Sequence, residues 1–419
     1  MTVRALLRTS TGLVVLGALV TGADWPQWRG PQRTGISTET GLLKDWPKGG
    51  PKLLWQSSDI GDGYGTPAVA GDRVYLVSNR GMEAEFVQAL SVKDGKSIWA
   101  TRLGNVGNPN QQPPYPMARS TPTVEGEFLY AFSSDGDVAS LRRSDGKVSW
   151  QKNVRREFGG APGTWAYAES PLIDGDVLVV TPGGPDATLL ALNKRTGAEI
   201  WKSAVPGGDR AAYSSVIAIE AAGRKQYVQF LDKGLVGVDA KTGKFLWRYT
   251  QTSGGPANIA TPVGRGQYVY STNSRRFGGG LVQLNAASDG VAAEQVYFER
   301  DMPNTLGGQV LLGDILYGTN QEGPVAAEFL TGKILWRDKE LGPGSVFYAD
   351  GRLYFHGENG DVVLAEATPK AYIEKGRFTP VGPPKRKDAR ERAWSYPVVA
   401  DGRLYIRDLN QLWVYDVKN

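Results

Sequence analysis

Apolar residues along this chain fall in short unbroken runs, such as Val74-Tyr75-Leu76-Val77, Val177-Leu178-Val179 and Tyr268-Val269-Tyr270. Glycine-bearing turns fence them, among them Gly71-Asp72 and Asp94-Gly95-Lys96. Runs of this length, rich in β-branched and aromatic residues and bounded by turn formers, predict β-strands. The runs are continuous and do not alternate with polar residues. That predicts strands buried on both faces of their sheet.

The runs also repeat. Ala89…Asp94-Gly95…Trp99 returns as Ser140…Asp145-Gly146…Trp150, Ala191…Thr196-Gly197…Trp201, Gly237…Thr242-Gly243…Trp247 and Ala326…Thr331-Gly332…Trp336. Each copy has Gly four residues before Trp, Asp or Thr before that Gly, and a small residue ten before Trp. A second element precedes each copy: a small residue and Pro, a Gly-centred turn, then an apolar strand. Clear examples start at Thr66-Pro67, Thr121-Pro122, Ser170-Pro171 and Thr261-Pro262. Weaker ones start at Ser214-Ser215, Gly307-Gly308, Gly344-Ser345 and Ser395-Tyr396-Pro397.

Each unit therefore predicts four strands joined by tight turns, in which glycine takes the positive φ that a hairpin needs. One four-stranded sheet cannot bury both faces; radial stacking of several does so and protects their edges. The markers Trp55, Trp99, Trp150, Trp201, Trp247 and Trp336 are about 47 residues apart, with Tyr297 filling an altered copy. After Trp336 the chain holds one full unit and three strands of another, ending in Leu412-Trp413-Val414-Tyr415. The missing strand is Lys52-Leu53-Leu54-Trp55, which has no first element before it. The expectation is an all-β, eight-bladed β-propeller of four-stranded antiparallel blades, its ring closed by an N-terminal strand in the last blade.

The pattern small…Asp/Thr-Gly-x-x-x-Trp resembles the tryptophan-docking motif of the PQQ-like, quinoprotein-type propellers. The resemblance covers residues 51–419 and implies that the Trp of one blade packs on the next, a docking role for Trp55, Trp99, Trp150, Trp201, Trp247 and Trp336. The segment Asp24-Trp25-Pro26-Gln27-Trp28-Arg29-Gly30-Pro31…Arg33…Gly35 is similar to the leader of a secreted, BamB-like subfamily. Two functional classes follow from the resemblance. One comprises quinone-dependent dehydrogenases holding pyrroloquinoline quinone and Ca²⁺ in the central funnel. The other comprises non-catalytic propellers that present loops to partner proteins.

Composition narrows the chemistry. The chain has no Cys and one His, His356, which removes disulfides, thiolate nucleophiles, iron–sulfur clusters and multi-His metal centres. The cysteine pair that the alcohol dehydrogenases of the resembling family set against the quinone is therefore missing. Those enzymes are also longer. Both departures favour a non-catalytic module with no cofactor, the alternative being a dehydrogenase using PQQ and Ca²⁺.

Residues 1–23 read as a signal peptide: Arg4 and Arg8, an apolar stretch over residues 13–20, then Thr21-Gly22-Ala23. No Cys follows that stretch, so a periplasmic or secreted protein is expected, not a lipoprotein. Residues 24–50 form a leader or clamp, with Trp25 and Trp28 expected against the propeller face. The remaining basic excess is small and scattered, which speaks against a nucleic-acid partner. The run from Lys385 to Arg392 reads as a solvated loop, the pair Arg275-Arg276 as a solvated hairpin tip. The amide- and Pro-rich stretch 105–116 reads as an insertion between blades. No transmembrane span is expected, and a monomer is.

Loops leading into the Thr-Pro strands should line one mouth of the central channel. They carry Tyr64, Arg119, Trp165, Tyr167, Glu169, Tyr213, Asn258, Asn304 and Trp394 as candidate ligand-mouth residues. No catalytic residue is expected among them. For a quinoprotein, the resemblance makes Glu169 and Asn258 the oxygen ligands to Ca²⁺ and Arg119 the partner of the cofactor carboxylates. His356, on a second strand, is expected as a hydrogen-bonded strand-end residue. The partner would be an envelope protein or, through the aromatic funnel, a polysaccharide.

Overall fold

A computed structural model describes residues 24–111, 117–254, 257–273, 278–288 and 290–419. The expected signal peptide, Arg275-Arg276 and residues 112–116 of the Pro-rich stretch lie outside the described residues. The described strands form eight four-stranded antiparallel sheets. In blade I, Ala68–Ala70, Arg73–Arg80, Ala84–Ser91 and Ser97–Asn105 lie side by side in chain order. Blades II to VII repeat this, starting at Thr123–Glu125, Leu172–Asp174, Ile217–Ala221, Val263–Arg265, Gln309–Leu312 and Gly344–Ala349. Blade VIII takes Val398–Ala400, Arg403–Asp408 and Gln411–Asp416 from the C-terminus and Lys52–Ser57 from the N-terminus. Lys52 pairs with Asp416 and Ser57 with Leu412. The ring is closed as its sequence predicts.

The apolar core lies between the sheets. Ala68, Tyr75 and Val87 of blade I pack with Leu129, Ala131 and Leu141 of blade II, and equivalent layers fill the other gaps. The layer at the seam joins Val69 and Val74 of blade I to Leu404, Leu412 and Val414 of blade VIII. Middle strands are therefore buried on both faces: Phe355, Val363 and Leu364 have no exposed surface. Outer strands keep one exposed edge, as at Ile98, Val148 and Ile200.

Polar contacts tie blade to blade at two radii. At the rim, the indole N–H of Trp55, Trp99, Trp150, Trp201 and Trp336 donates to a carbonyl of the next blade, on Val92 (2.9 Å), Arg143 (3.1 Å), Lys194 (2.9 Å), Ala240 (3.2 Å) and Thr368 (2.9 Å). In the first four the ring lies on the turn glycine of the repeat. Gly243 shows why that residue is glycine: its φ is +71°, and a Cβ would stand 2.5 Å from Trp201 Cε3. Tyr297 substitutes for Trp, donating its O–H to Phe329 O at 2.9 Å. Trp247 differs. Its N–H donates to Gln226 Oε1 (2.7 Å) within its own blade. The next blade's outer hairpin is longer, running Gly278–Ala287 into Gly290–Arg300. Its Gly290 lies seven residues before Tyr297 and has nothing within 4 Å of a Cβ position, so no turn receives the indole.

Near the axis, the hydroxyls that precede the inner strands form a belt. Thr66 Oγ1 accepts from Tyr396 N (3.1 Å), Ser170 Oγ from Thr121 N (2.8 Å) and Ser215 Oγ from Ser170 N (3.0 Å). Proline next to them lacks an N–H and suits the start of a strand. The Thr/Ser-Pro element of the repeat is thus an interblade contact as well as a strand start.

The leader crosses the channel and meets every blade. Trp25 exchanges backbone hydrogen bonds with Val69 of blade I (2.8 Å each), and Pro26 O accepts from Val124 N of blade II (2.7 Å). Arg33 donates to Ser170 O (2.8 Å) and Pro171 O (2.7 Å) of blade III and to Val216 O (2.6 Å) of blade IV. Trp28 Nε1 donates to Thr261 Oγ1 of blade V at 2.9 Å, and Arg29 to Gln309 O of blade VI. Ser37 N reaches Tyr348 O of blade VII (2.8 Å), and Glu39 accepts from Asp401 N and Gly402 N of blade VIII. The segment that was expected to clamp the propeller face runs across the channel as a plug.

Candidate functional site

With the plug across the inner strands, the channel becomes a blind funnel of about 350 Å³. Its wall comes from the loops that lead into the inner strands. Tyr64 stands before blade I, Arg119 before blade II, Trp165 before blade III, Tyr213 before blade IV and Trp394 before blade VIII. The Tyr64 and Trp394 rings lie 4.9 Å apart, and those of Trp165 and Tyr213 5.8 Å apart. Tyr213 O–H accepts the Trp165 backbone N–H at 3.0 Å. Trp394 Nε1 donates to Glu358 Oε1 at 3.2 Å.

Other lining residues escaped the sequence reading, Trp28, Tyr396 and Leu306 among them. Trp28 of the leader forms the floor, edge-on to Tyr396 at 4.6 Å. Tyr396, beside Trp394 in sequence, donates its O–H to Leu306 O (2.9 Å), and Leu306 also lines the cavity. The adjacency of Tyr396 to Trp394 was the available signal. For Trp28 there was the Trp-rich leader, but nothing that aimed it at the axis.

Arg119 is the one charged side chain lining the funnel among the described residues. Its Nη1 donates to Met117 O (2.9 Å) and Trp165 O (3.0 Å), and the guanidinium sits 5.6 Å from the Tyr64 ring centre. Burial lowers its pKa, against the pull of Tyr64, Tyr213 and Glu85. The Trp165 indole N–H is buried without an acceptor.

The other four candidates do not line the cavity. Tyr167 is core, packed on Phe132 at 5.2 Å with its O–H on Pro182 O at 2.7 Å. Glu169 accepts from Thr181 N (2.7 Å), and burial raises its pKa to about 8, with Arg33 opposing the shift. Asn258 donates to Leu231 O and accepts from Asn273 and Gly254. Asn304 is 3% exposed, its backbone N–H on Thr319 O. His356 Nδ1 lies 2.9 Å from Ser395 O, its pKa lowered by burial. The basic run is ion-paired: Arg386 to Asp408, Lys387 to Asp62, Arg390 to Asp388.

The two residues that the resemblance assigns to Ca²⁺ are held by protein partners. Asn258 has its amide oxygen occupied twice, and Glu169 accepts the Thr181 backbone N–H at 2.7 Å. Among the described residues no cluster of His, Asp and Glu suits a metal ion.

Eight four-stranded sheets, PQQ-like repeats and a rim sealed by the N-terminal strand define a closed β-propeller. The family model described as outer membrane protein assembly factor BamB matches residues 33–166 and 163–328, and the chain belongs to that family. Among its relatives is the outer membrane protein assembly factor BamB of Yersinia pestis, 31% identical over 157 residues, or 36% of each chain. Another is the tetrathionate hydrolase of Acidithiobacillus ferrooxidans, 24% identical over 237 residues, covering 49% of this chain and 44% of the relative. The chain thus spans less than half the length of these relatives. The crystal structure of BamB from Moraxella catarrhalis superposes with a TM-score of 0.57 over 85% of this chain and 94% of that one. At 16% identity that likeness is one of fold.

Proposed function

We propose that this protein is a non-catalytic binding propeller of the cell envelope that recognises a partner at the mouth of its blind funnel. The observation that carries the reading is the convergence of Tyr64, Arg119, Trp165, Tyr213 and Trp394 from five separate leading loops on one cavity. A closed ring holds such loops with little freedom, so recognition draws on a preformed surface. Family membership supports the envelope setting, since the relatives named above include outer-membrane assembly factors. A tetrathionate hydrolase among them keeps a catalytic reading in view.

The test is affinity capture of the tagged, exported protein with outer-membrane assembly proteins of its own host, beside Arg119→Ala and Trp394→Ala. Specific capture that both variants lose supports the reading. Dye-reducing turnover after loading with pyrroloquinoline quinone and Ca²⁺ would replace it with an oxidoreductase.

A further inference from the structure

We propose that the outer strand of blade V is a self-association edge, pairing antiparallel with the same strand of a second copy about a two-fold axis at Ala293. This surface lies on the rim and owes nothing to the funnel. The outer strands of the other seven blades run four to nine residues. In each of them only one or two paired residues precede a β-bulge beside the tryptophan position of the repeat. Such bulges blunt an edge against further pairing. Gly290–Arg300 is eleven residues long, and its bulge comes only after six regular pairs, Gly290 to Gln295. Among the described residues nothing hydrogen-bonds its outer edge.

The direction of the free backbone groups follows from the neighbouring strand. Leu284, opposite Ala293, donates its N–H to Gln267 O at 2.7 Å, away from the outer strand. Ala293 thus belongs to a non-hydrogen-bonded pair, and Val291, Ala293 and Gln295 turn their N–H and C=O groups outward. These residues are spaced evenly about Ala293. A two-fold there sets Val291 against the partner's Gln295 and Ala293 against the partner's Ala293, and each such pair exchanges two hydrogen bonds. Side chains agree with this register. Alanine meets alanine at the axis. Exposed Glu294 lies across from Ala292, so no two carboxylates stand directly opposed. Val296, 44% exposed, lies across from Gly290 and gains cover. A second copy is the occupant this edge specifies, because an isologous contact needs one self-complementary patch. One strand pair where two discs touch buries less than the roughly 1,200 Å² of a standard interface, so the dimer is weak. The monomer expected from the sequence is then the dilute form.

The test is sedimentation velocity of the exported protein at concentrations up to the order of 0.1 mM, where interfaces of this size act. The parent should show a concentration-dependent equilibrium of monomer and dimer. Ala292→Lys places a lysine across from Glu294 on both sides of the axis and should tighten the dimer roughly 2- to 30-fold. Ala292→Glu opposes carboxylates there and should weaken it by a similar factor. The double variant Ala292→Glu/Glu294→Lys should recover at least the parent affinity. Lysine and glutamate disturb one half-buried position alike, so effects of opposite sign report the pairing and not the fold. A monomer at every concentration for both parent and Ala292→Lys, the same response to lysine and glutamate, or no recovery in the double variant overturns the proposal.

Discussion

Replacing Arg33 with methionine tests whether the leader is a plug. In the folded protein the guanidinium satisfies three carbonyls of blades III and IV, those of Ser170, Pro171 and Val216, at 2.6–2.8 Å. Methionine keeps much of the volume and leaves the Ser170 and Val216 carbonyls without the guanidinium, at about 1–3 kcal/mol each, while Pro171 O keeps the Thr123 hydroxyl at 2.6 Å. Against this stands the cost of burying the cation. Burial lowers the Arg33 pKa from 12.5 to about 10. At ~1.4 kcal/mol per pH unit that is roughly 3 kcal/mol which methionine does not incur. The two orphaned carbonyls outweigh it narrowly, and Arg33→Met should lose about 1 kcal/mol. Guanidinium chloride unfolding measures the loss, and limited proteolysis near residues 24–40 reports whether the leader has come away. A variant as stable as the parent, with its leader still protected, would refute the argument, because it would show that water or rearrangement serves those carbonyls equally well.

Glu169 makes a pH prediction. Its folded pKa of about 8 lies above the ordinary 4.5, so the unfolded chain ionises first and stability falls as pH rises from 4.5 to 8. The fall approaches roughly 4–5 kcal/mol by linkage. Glu169→Gln should flatten that slope when denaturation midpoints are compared at pH 5 and pH 8. Parallel profiles for parent and variant would show that the carboxyl is already ionised in the fold. The docking glycines make a second prediction. Gly243→Ala meets both a positive φ and the Trp201 ring, whereas Gly81→Ala meets a φ of +64° with open space beyond. Both should lose about 1 kcal/mol for the backbone, and Gly243→Ala about 1–3 kcal/mol more for the displaced indole. Equal thermal shifts would show that the indole moves aside freely.

The repeat was readable because its signals are local. A glycine four residues before a tryptophan reports a turn and the ring that covers it, and counting such units exposed the unpaired strand at residues 52–55. Trp247 shows where local signals stop: docking needs a receiving turn in the next blade, and the long hairpin there moved it. The funnel was readable at the level of loops, because the first strand of a blade is innermost. Which side chain of a loop faces the cavity was not. Glu169 and Asn258 turn away because Thr181, Leu231 and Asn273 claim them, contacts set by neighbouring strands. Trp28 reaches Thr261, 233 residues away, and no periodicity encodes that.

Rim closure and funnel floor depend on the same stretch of chain. Strand Lys52–Ser57 has no sheet until Gln411–Asp416 exists, and Arg29 and Arg33 of the leader lack their blade acceptors until the inner strands of blades III, IV and VI are in place. The segments made first must therefore dock late, a long-range closure of the kind that slows folding. Desolvating two guanidiniums is unfavourable unless all their carbonyl partners are present together. A partly formed ring thus gains little from a seated plug. It follows that Trp28 reaches the funnel only in a ring whose inner strands are complete, so that the binding surface and the finished fold appear together.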